Sequence, residues 1–318
     1  MNIIYQGRTK KVDQGLTVKE ALEKEINENK YEVIGCLYNN DYKNLDTQVE
    51  EGAKIELIDV STKEGMKIYV RTIVYIMGKA FENLYKREKI MVEYQLGNAM
   101  YCKCDNIQIT EEFITKLKEE IQKIIEKDEK ITKVEMTREE AEKFYEEENT
   151  SKGRLQFDLK RNKPIYMYYC GNYYNYCYGT LANRTGIIKI FDIIKYGDGF
   201  LIRYPSSKNP TEMPEFHETK KLAWALEEFE KIHSVLDVLT VYKLNKAIEE
   251  DRIKDVIMLA EALHEKKIAN IADDIAKRKN VKMVLIAGPS SSGKTTFAQR
   301  LGIQLRLNGL KPVTISVD

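Results

Sequence analysis

Two glycines, a lysine and a threonine have the spacing of a phosphate-binding loop. Residues 288–295 read Gly-Pro-Ser-Ser-Ser-Gly-Lys-Thr, which fits the pattern G-x-x-x-x-G-K-[ST]. Glycine allows backbone angles and close approaches that a Cβ atom would block. Gly288 and Gly293 therefore allow successive backbone N–H groups to face one concavity, and such a concavity binds phosphate oxygens.

Each residue of this loop has an expected role around a nucleotide. Lys294 can reach the β- and γ-phosphates, and the Thr295 hydroxyl can ligate Mg²⁺. Thr296 adds a hydroxyl near the α-phosphate. The other phosphate contacts are expected from the backbone N–H groups of Ser290, Ser291, Ser292 and Gly293, with Gly288 opening the turn. The sequence thus predicts a site for a nucleotide and Mg²⁺.

The flanking segments have the strand, loop and helix order that the motif requires. The apolar run Met283–Ala287 predicts a buried parallel strand, and Thr296–Leu305 predicts a helix whose N-terminus favours anions. A second strand is predicted over Pro312–Val317, with Asp318 at its end. Since a P-loop sheet needs more strands and helices to be buried, we expect residues 281–318 to be the first βαβ unit of a kinase-type α/β domain, inactive alone.

Composition sets broad limits on the class of protein. A length of 318 residues predicts two or three domains. The formal net charge of +1 argues against a strongly basic nucleic-acid binder. The number of cysteines is odd and the chain opens without a secretory signal, so we expect reduced thiols and a cytoplasmic protein. No apolar run approaches the length of a membrane span.

Residues 1–60 predict a small α+β domain. Strands are predicted at 3–5, 11–12, 31–38 and 54–58. Thr17 and Glu20 have the spacing of a capping box that opens a short helix over 18–25. The resulting order, β-β-α-β-β, is typical of a β-grasp domain.

Residues 61–235 predict a second α+β domain. Helices are predicted at 70–85 and 111–127, with a third opened by Thr137 and Glu140. The helix at 111–127 is amphipathic, and its apolar face is predicted from Phe113, Ile114, Leu117, Ile121, Ile124 and Ile125. Strands are predicted at 154–158, 164–169, 187–191 and 200–204. Helices are again predicted at 244–250 and 254–279, and residues 236–280 are interpreted as a helical linker. The apolar face of the second of these helices is predicted from Ile257, Ala260, Leu263, Ile268, Ile271 and Ile275.

Two parts of the chain resemble known families. Residues 261–272, followed by 284–297, are similar to bacterial uridine kinase-like nucleoside kinases, and the P-loop part to phosphoribulokinase as well. Residues 1–205 resemble the TGS domain and the threonyl/alanyl-tRNA synthetase editing-type domain. The resemblance implies ATP-dependent phosphorylation of a uridine- or cytidine-like 5′-hydroxyl. It also implies that Asp318 acts on that hydroxyl or on its Mg²⁺.

The editing-type resemblance fails at the residues that carry the chemistry. That domain uses His-x-x-x-His on a helix and a later Cys-x-x-x-His. Here Arg71 and Tyr75 occupy the first two positions, and Leu181 follows the retained Cys177. A lone thiol makes neither a zinc site nor a water-activating site. We therefore expect no zinc and no editing hydrolysis, and a scaffold or binding surface in their place.

Two further groups of residues have competing interpretations. His217, His233 and His264 lie in different predicted segments without metal-ligand spacing, and only His264 falls within the kinase-like stretch. A cluster of seven tyrosines either stacks bases of RNA or a nucleoside or fills strand positions and packs. The scarcity of basic residues among them favours packing. These tyrosines are Tyr166, Tyr168, Tyr169, Tyr173, Tyr174, Tyr176 and Tyr178.

Three functions follow from these patterns. The leading hypothesis is a nucleoside kinase that uses ATP and Mg²⁺. The second is an RNA- or amino-acid-binding regulatory module derived from a synthetase front end. The third is a P-loop ATPase or GTPase without a small-molecule acceptor. The identity of the nucleoside, the choice of ATP or GTP and the oligomeric state are left open.

Overall fold

The computed structural model describes residues 1–86, 88–104, 106–148, 152–153, 156, 164–278 and 280–316. The chain divides into two compact units, Met1–Ala223 and Trp224–Asp318. Within these described residues, the first unit contains three sheets and the second contains helices. No helix among them is long and apolar enough to cross a membrane.

The first sheet has the strand order β2-β1-β5-β3-β4. Strand β1 pairs in parallel with β5, and its other pairs are antiparallel. The capping box is confirmed, because the Thr17 hydroxyl accepts the Glu20 N–H and the Glu20 carboxylate accepts the Thr17 N–H. The elements are β1 (Asn2–Tyr5), β2 (Arg8–Lys11), α1 (Val18–Ala21), α2 (Glu23–Asn27), β3 (Val33–Tyr38), β4 (Asp41–Lys43) and β5 (Lys54–Asp59).

The second sheet is antiparallel and covers two long helices. Its order is β11-β12-β7-β6, and it packs on α3 and α4 around Ile73, Leu117 and Phe200. The predicted apolar face of α4 is buried throughout. The elements are α3 (Lys63–Leu84), β6 (Ile90–Gln95), β7 (Ala99–Cys104), α4 (Glu111–Lys127), β11 (Asp192–Tyr196) and β12 (Gly199–Arg203).

The third sheet, with the order β10-β9-β8, carries most of the tyrosine cluster. Helix α5, which Thr137 caps as predicted, packs against it through Ala141 and Tyr145. The elements are β8 (Thr132–Met136), α5 (Arg138–Glu147), β9 (Ile165–Cys170) and β10 (Tyr173–Asn175). The strand predicted at 154–158 falls, except for Gln156, outside the described residues.

The strand predicted at 187–191 is wrong. The chain forms a 3₁₀ turn at Thr185–Ile187, and strand β11 begins only at Asp192. The Tyr69 phenol explains the difference, since it donates to the Ile190 carbonyl at 2.7 Å and accepts the N–H groups of Lys189 and Ile190. This apolar run is therefore buried as an irregular segment.

Four helices form the regular structure described in the second unit. They are α6 (Lys220–Leu236), which begins before the unit boundary, α7 (Val241–Glu249), α8 (Ile253–Lys277) and α9 (Lys294–Leu307). Ile268 and Ala272 of α8 pack on Leu301 and Leu305 of α9. The predicted apolar face of α8 is only partly buried, because Ile257 and other members are exposed.

The two strands predicted beside the loop are also wrong. Residues 281–289 and 311–316 have no strand structure, and Met283 and Leu285 are 75% and 84% exposed. A β-strand is stabilised by hydrogen bonds to a neighbour. In the part of the chain that is described, neither segment pairs with the other or joins a sheet. Val317 and Asp318 fall outside the described residues.

Candidate functional site

The backbone of residues 288–295 contains two left-handed residues at the start of α9. Ser291 and Gly293 are left-handed, with φ of 58° and 82°, and Gly293 is the N-cap of α9. A Cβ atom on Gly288 would lie 2.7 Å from the Ser292 hydroxyl oxygen. Replacing Gly288 would therefore force the Ser292 side chain to move, and replacing Gly293 would strain the backbone.

Lys294 lies across its own loop. Its ammonium donates hydrogen bonds to the carbonyl oxygens of Gly288 at 2.9 Å and of Pro289 at 2.7 Å. Helix α9 begins at Lys294, two residues before the predicted start at Thr296. Thr295 and Thr296 lie in its first turn, and both are exposed. All predicted phosphate-binding residues thus lie on one exposed turn and helix end. Asp318, the predicted catalytic or Mg²⁺-binding carboxylate, lies outside the described residues.

Helix α9 is anchored on α8 behind this loop. Glu265 accepts hydrogen bonds from Gln304 at 2.8 Å and pairs with Arg300 at 2.7 Å. The Arg300 guanidinium also lies 3.4 Å from Nδ1 of His264. His264 thus belongs to helix packing behind the loop. Across the described ranges, no three His, Cys, Asp or Glu side chains are grouped as a metal site.

Three of the four editing-type positions converge in one apolar cluster. Tyr75, Cys177 and Leu181 pack together with Tyr168 and Tyr173. The Tyr75 ring lies 5.1 Å from the Tyr173 ring, and Tyr75 and Leu181 are 4% and 0% exposed. These three positions therefore converge in the fold, and apolar and aromatic side chains fill the space between them.

Arg71, the fourth position, lies one helical turn before Tyr75 on α3. A Cβ atom on Gly179 would come within 2.8 Å of the guanidinium carbon of Arg71, so the guanidinium lies directly against the Gly179 backbone. Burial raises the pKa of the Cys177 thiol to about 11, against the opposing effect of Arg71. Cys177 is therefore protonated at neutral pH and is not a thiolate nucleophile.

A buried lysine on the same helix face escaped the sequence analysis. Lys79 pairs with Glu129 and donates to the Cys170 carbonyl at 2.9 Å, and its nitrogen lies 3.4 Å from the Cys170 sulfur. It follows Tyr75 by four residues and Arg71 by eight, which places all three on one face of α3. That spacing was the available signal. The resulting cluster fixes the β9–β10 hairpin to α3.

The tyrosine cluster is mainly packed, as the favoured interpretation predicted. Tyr168 and Tyr173 are buried, and the Tyr166 ring contacts Tyr168 and Tyr176. The Tyr168 phenol donates to the Gly179 carbonyl at 2.8 Å. Only Tyr178 among the seven is largely exposed, at 77%. These rings therefore stabilise the third sheet and its following loop.

An open cleft of about 450 Å³ lies beside this loop, between β4 and the third sheet. Its cations are paired with acids: Lys43 with Asp41, Lys130 with Asp46 and Lys133 with Glu135, at 2.9, 3.2 and 2.5 Å. Three positive and three negative groups balance one another. The cleft is therefore not a basic track for a nucleic-acid backbone.

Comparison with known proteins shows similarity to threonine–tRNA ligases. The chain is 26% identical over 199 residues to the threonine–tRNA ligase of Caldanaerobacter subterraneus subsp. tengcongensis, and 27% identical over 199 residues to that of Acetivibrio thermocellus. It is 27% identical over 208 residues to that of Thermotoga maritima. These matches cover 62%, 62% and 64% of this chain. No family model matches.

The matches cover only 31% of each of these three relatives, so the chain spans about a third of their length. More than a third of the chain itself lies outside each match. The similarity supports a threonyl-tRNA synthetase-like region. The matched length is comparable to that of residues 1–205, for which such a region is predicted from the sequence. The chain therefore contains a region similar to part of a family of ligases.

Proposed function

We propose that the protein is a phosphotransferase that binds Mg-ATP at residues 288–295 and phosphorylates the 5′-hydroxyl of a uridine- or cytidine-like nucleoside. One observation carries the proposal. The left-handed Ser291 and Gly293, followed at once by a helix, turn the backbone as a phosphate cradle requires. The close approach of the Ser292 hydroxyl to Gly288, which a Cβ atom would block, supports the same compact turn.

The residues of the loop have distinct roles in this reaction. Backbone N–H groups of Ser290 to Gly293 bind phosphate oxygens, and Lys294 exchanges its bonds to Gly288 and Pro289 for bonds to the β- and γ-phosphates. Thr295 holds Mg²⁺, which neutralises phosphate charge, and Thr296 contacts the α-phosphate. The nucleoside 5′-oxygen forms a bond to the γ-phosphorus as the bond from that phosphorus to the β–γ bridging oxygen breaks, and ADP leaves with the bridging oxygen. Asp318 accepts or positions the hydroxyl proton.

Replacing Lys294 tests this proposal. Lys294→Ala is expected to abolish nucleoside phosphorylation and weaken Mg-ATP binding in calorimetry, with an unchanged circular dichroism spectrum. Lys311→Ala, at an exposed lysine just after α9, is the matched control and is expected to retain both. Full phosphorylation by Lys294→Ala would end the proposal. Hydrolysis of ATP or GTP that ignores added nucleoside would favour the ATPase or GTPase alternative.

A second candidate function is favoured by the comparisons. We propose that the first unit is a synthetase-derived module, a β-grasp TGS-like domain joined to an editing-type domain, that binds RNA or an amino acid without hydrolysing it. The strand order β2-β1-β5-β3-β4 and the similarity to threonine–tRNA ligases support this proposal. So does the loss of hydrolytic groups around Tyr75 and Leu181.

Filter binding of the whole protein to tRNA across a salt series tests the RNA part. Binding that weakens linearly with the logarithm of salt concentration is expected if phosphates are contacted. Because the cleft beside β4 has balanced charges, a shallow slope is expected. No salt-dependent binding at micromolar protein would exclude RNA and leave the amino-acid alternative.

A further inference from the structure

Arg71 is a half-buried cation without a counter-charge. Within the described residues its guanidinium has neither an ion pair nor a hydrogen-bond acceptor. Several other half-buried cations among the described residues are paired with acids. Lys10 binds Glu25, Arg203 binds Asp192 and Arg300 binds Glu265. An unpaired charge that has lost part of its hydration is unfavourable unless something compensates it.

The loop that faces Arg71 contains backbone N–H groups that no described protein atom accepts. Over the ranges that the structure describes, the backbone N–H groups of residues 177–180 donate to no protein acceptor. Gly179 lies in this loop against the guanidinium, with φ of +94°. Successive free N–H groups beside a cation are the elements of an anion-binding concavity.

The neighbouring side chains leave this positive charge uncompensated. Cys177 is protonated at neutral pH because burial raises its pKa. The Tyr168 phenol is already committed to the Gly179 carbonyl. The Arg71 guanidinium is therefore charged while its neighbours Cys177 and Tyr168 are neutral. Its planar array of N–H donors fits the oxygen atoms of a carboxylate or a phosphate.

We propose that Arg71 and the backbone N–H groups of residues 177–180 bind an oxyanion, the carboxylate or phosphate group of a small ligand. This proposal rests on the second candidate function and assigns the residues that would bind the charged group of its ligand. It assigns a binding role to a position where the resembled domain has a histidine. The absence of a side chain at Gly179 is part of the site, because any Cβ would displace the guanidinium.

Chemical footprinting of the full-length protein tests the proposal at residue resolution. Phenylglyoxal modifies arginines, and peptide mass spectrometry measures the rate at each one. Millimolar inorganic phosphate or acetate, at ionic strength matched with chloride, is expected to slow modification of Arg71 severalfold. Modification of the exposed Arg8 is expected to stay unchanged. Protection by phosphate alone identifies a phosphate ligand, and protection by acetate identifies a carboxylate.

Two variants separate binding from folding. Gly179→Ala is expected to abolish the protection of Arg71. Arg71→Gln is expected to keep or raise the melting temperature, since it removes an unpaired charge, whereas loss of a structural arginine would lower it. Equal modification of Arg71 with and without either anion overturns the proposal, as does equal protection of Arg8. Because peptide mass spectrometry reports the modification rate of Arg71 by itself, these outcomes do not depend on nucleotide binding at Lys294 or on tRNA binding in the filter assay.

Discussion

The Tyr75 phenol donates a hydrogen bond to the backbone carbonyl of Tyr168 at 2.8 Å, and both side chains are buried. The bond joins α3 to β9 inside the cluster where the editing-type positions converge. Burial raises the pKa of Tyr75, so this phenol remains a neutral donor. A residue in a position of expected chemistry thus serves to stabilise packing.

Replacing Tyr75 with phenylalanine tests this structural role. The variant keeps the ring but leaves the Tyr168 carbonyl buried without its donor, which costs about 1–3 kcal/mol. The free energy of unfolding from urea titration is expected to fall by that amount. Tyr178→Phe, at a tyrosine that is 77% exposed, is the control and is expected to change little. Equal stability of Tyr75→Phe and the wild type would contradict a structural role for the phenol.

The ion pair between Lys79 and Glu129 predicts a pH dependence of stability. Burial alone would raise the pKa of Glu129, but the hydrogen bond and charge of Lys79 outweigh it and lower the pKa below 4.5. Well above pH 4.5 the carboxylate is ionised in both the folded and the unfolded state, and the pair stabilises the fold fully. As the pH falls further, the unfolded chain binds a proton first, so this stability is lost through the folded pKa.

Glu129→Gln is therefore expected to reduce the free energy of unfolding by about 2 kcal/mol at pH 7, because Lys79 keeps a buried charge without its partner. The difference from the wild type is expected to shrink as the pH falls below 4.5. Urea titrations at a series of pH values measure both. Glu142→Gln, at an exposed carboxylate of α5, is the control. A difference that stays constant with pH would show that the pair does not ionise as described.

The sequence predicts local features of this chain better than features that depend on distant partners. The capping boxes at Thr17 and Thr137, a helix after the glycine loop and the buried face of α4 are confirmed, because each depends on residues within a few positions. The convergence of Tyr75, Cys177 and Leu181 was accessible only through the family resemblance.

The errors share a physical cause. An apolar run predicts burial or a strand, but a strand also needs a hydrogen-bonding neighbour that the run does not encode. Residues 187–191 bond to the Tyr69 phenol instead, and Met283–Ala287 pairs with no described strand. The partner of Lys79 lies 50 residues away, so local spacing places Lys79 on the face of Tyr75 but does not identify Glu129 as its partner.

The last prediction compares two glycines, Gly293 at the N-cap of α9 and Gly302 inside the same helix. Gly293 has φ of +82° with open space around its Cα, so an alanine there strains only the backbone, by about 1–2 kcal/mol. If the backbone rotates at residue 293 to relieve this strain, the N–H groups that precede Lys294 no longer face the proposed phosphate site. Gly293→Ala is therefore expected to weaken Mg-ATP binding in calorimetry and to lower the melting temperature.

Gly302→Ala is the matched control, because the same substitution falls inside the same helix. Its Cβ would meet Pro312 at an ordinary 3.9 Å, and alanine favours a helix interior by about 0.5–1 kcal/mol over glycine. This variant is expected to raise the melting temperature and leave Mg-ATP affinity unchanged. If Gly293→Ala bound Mg-ATP as tightly as Gly302→Ala did, the left-handed cap of α9 would have no part in nucleotide binding. The phosphate cradle would then have to be formed by other residues.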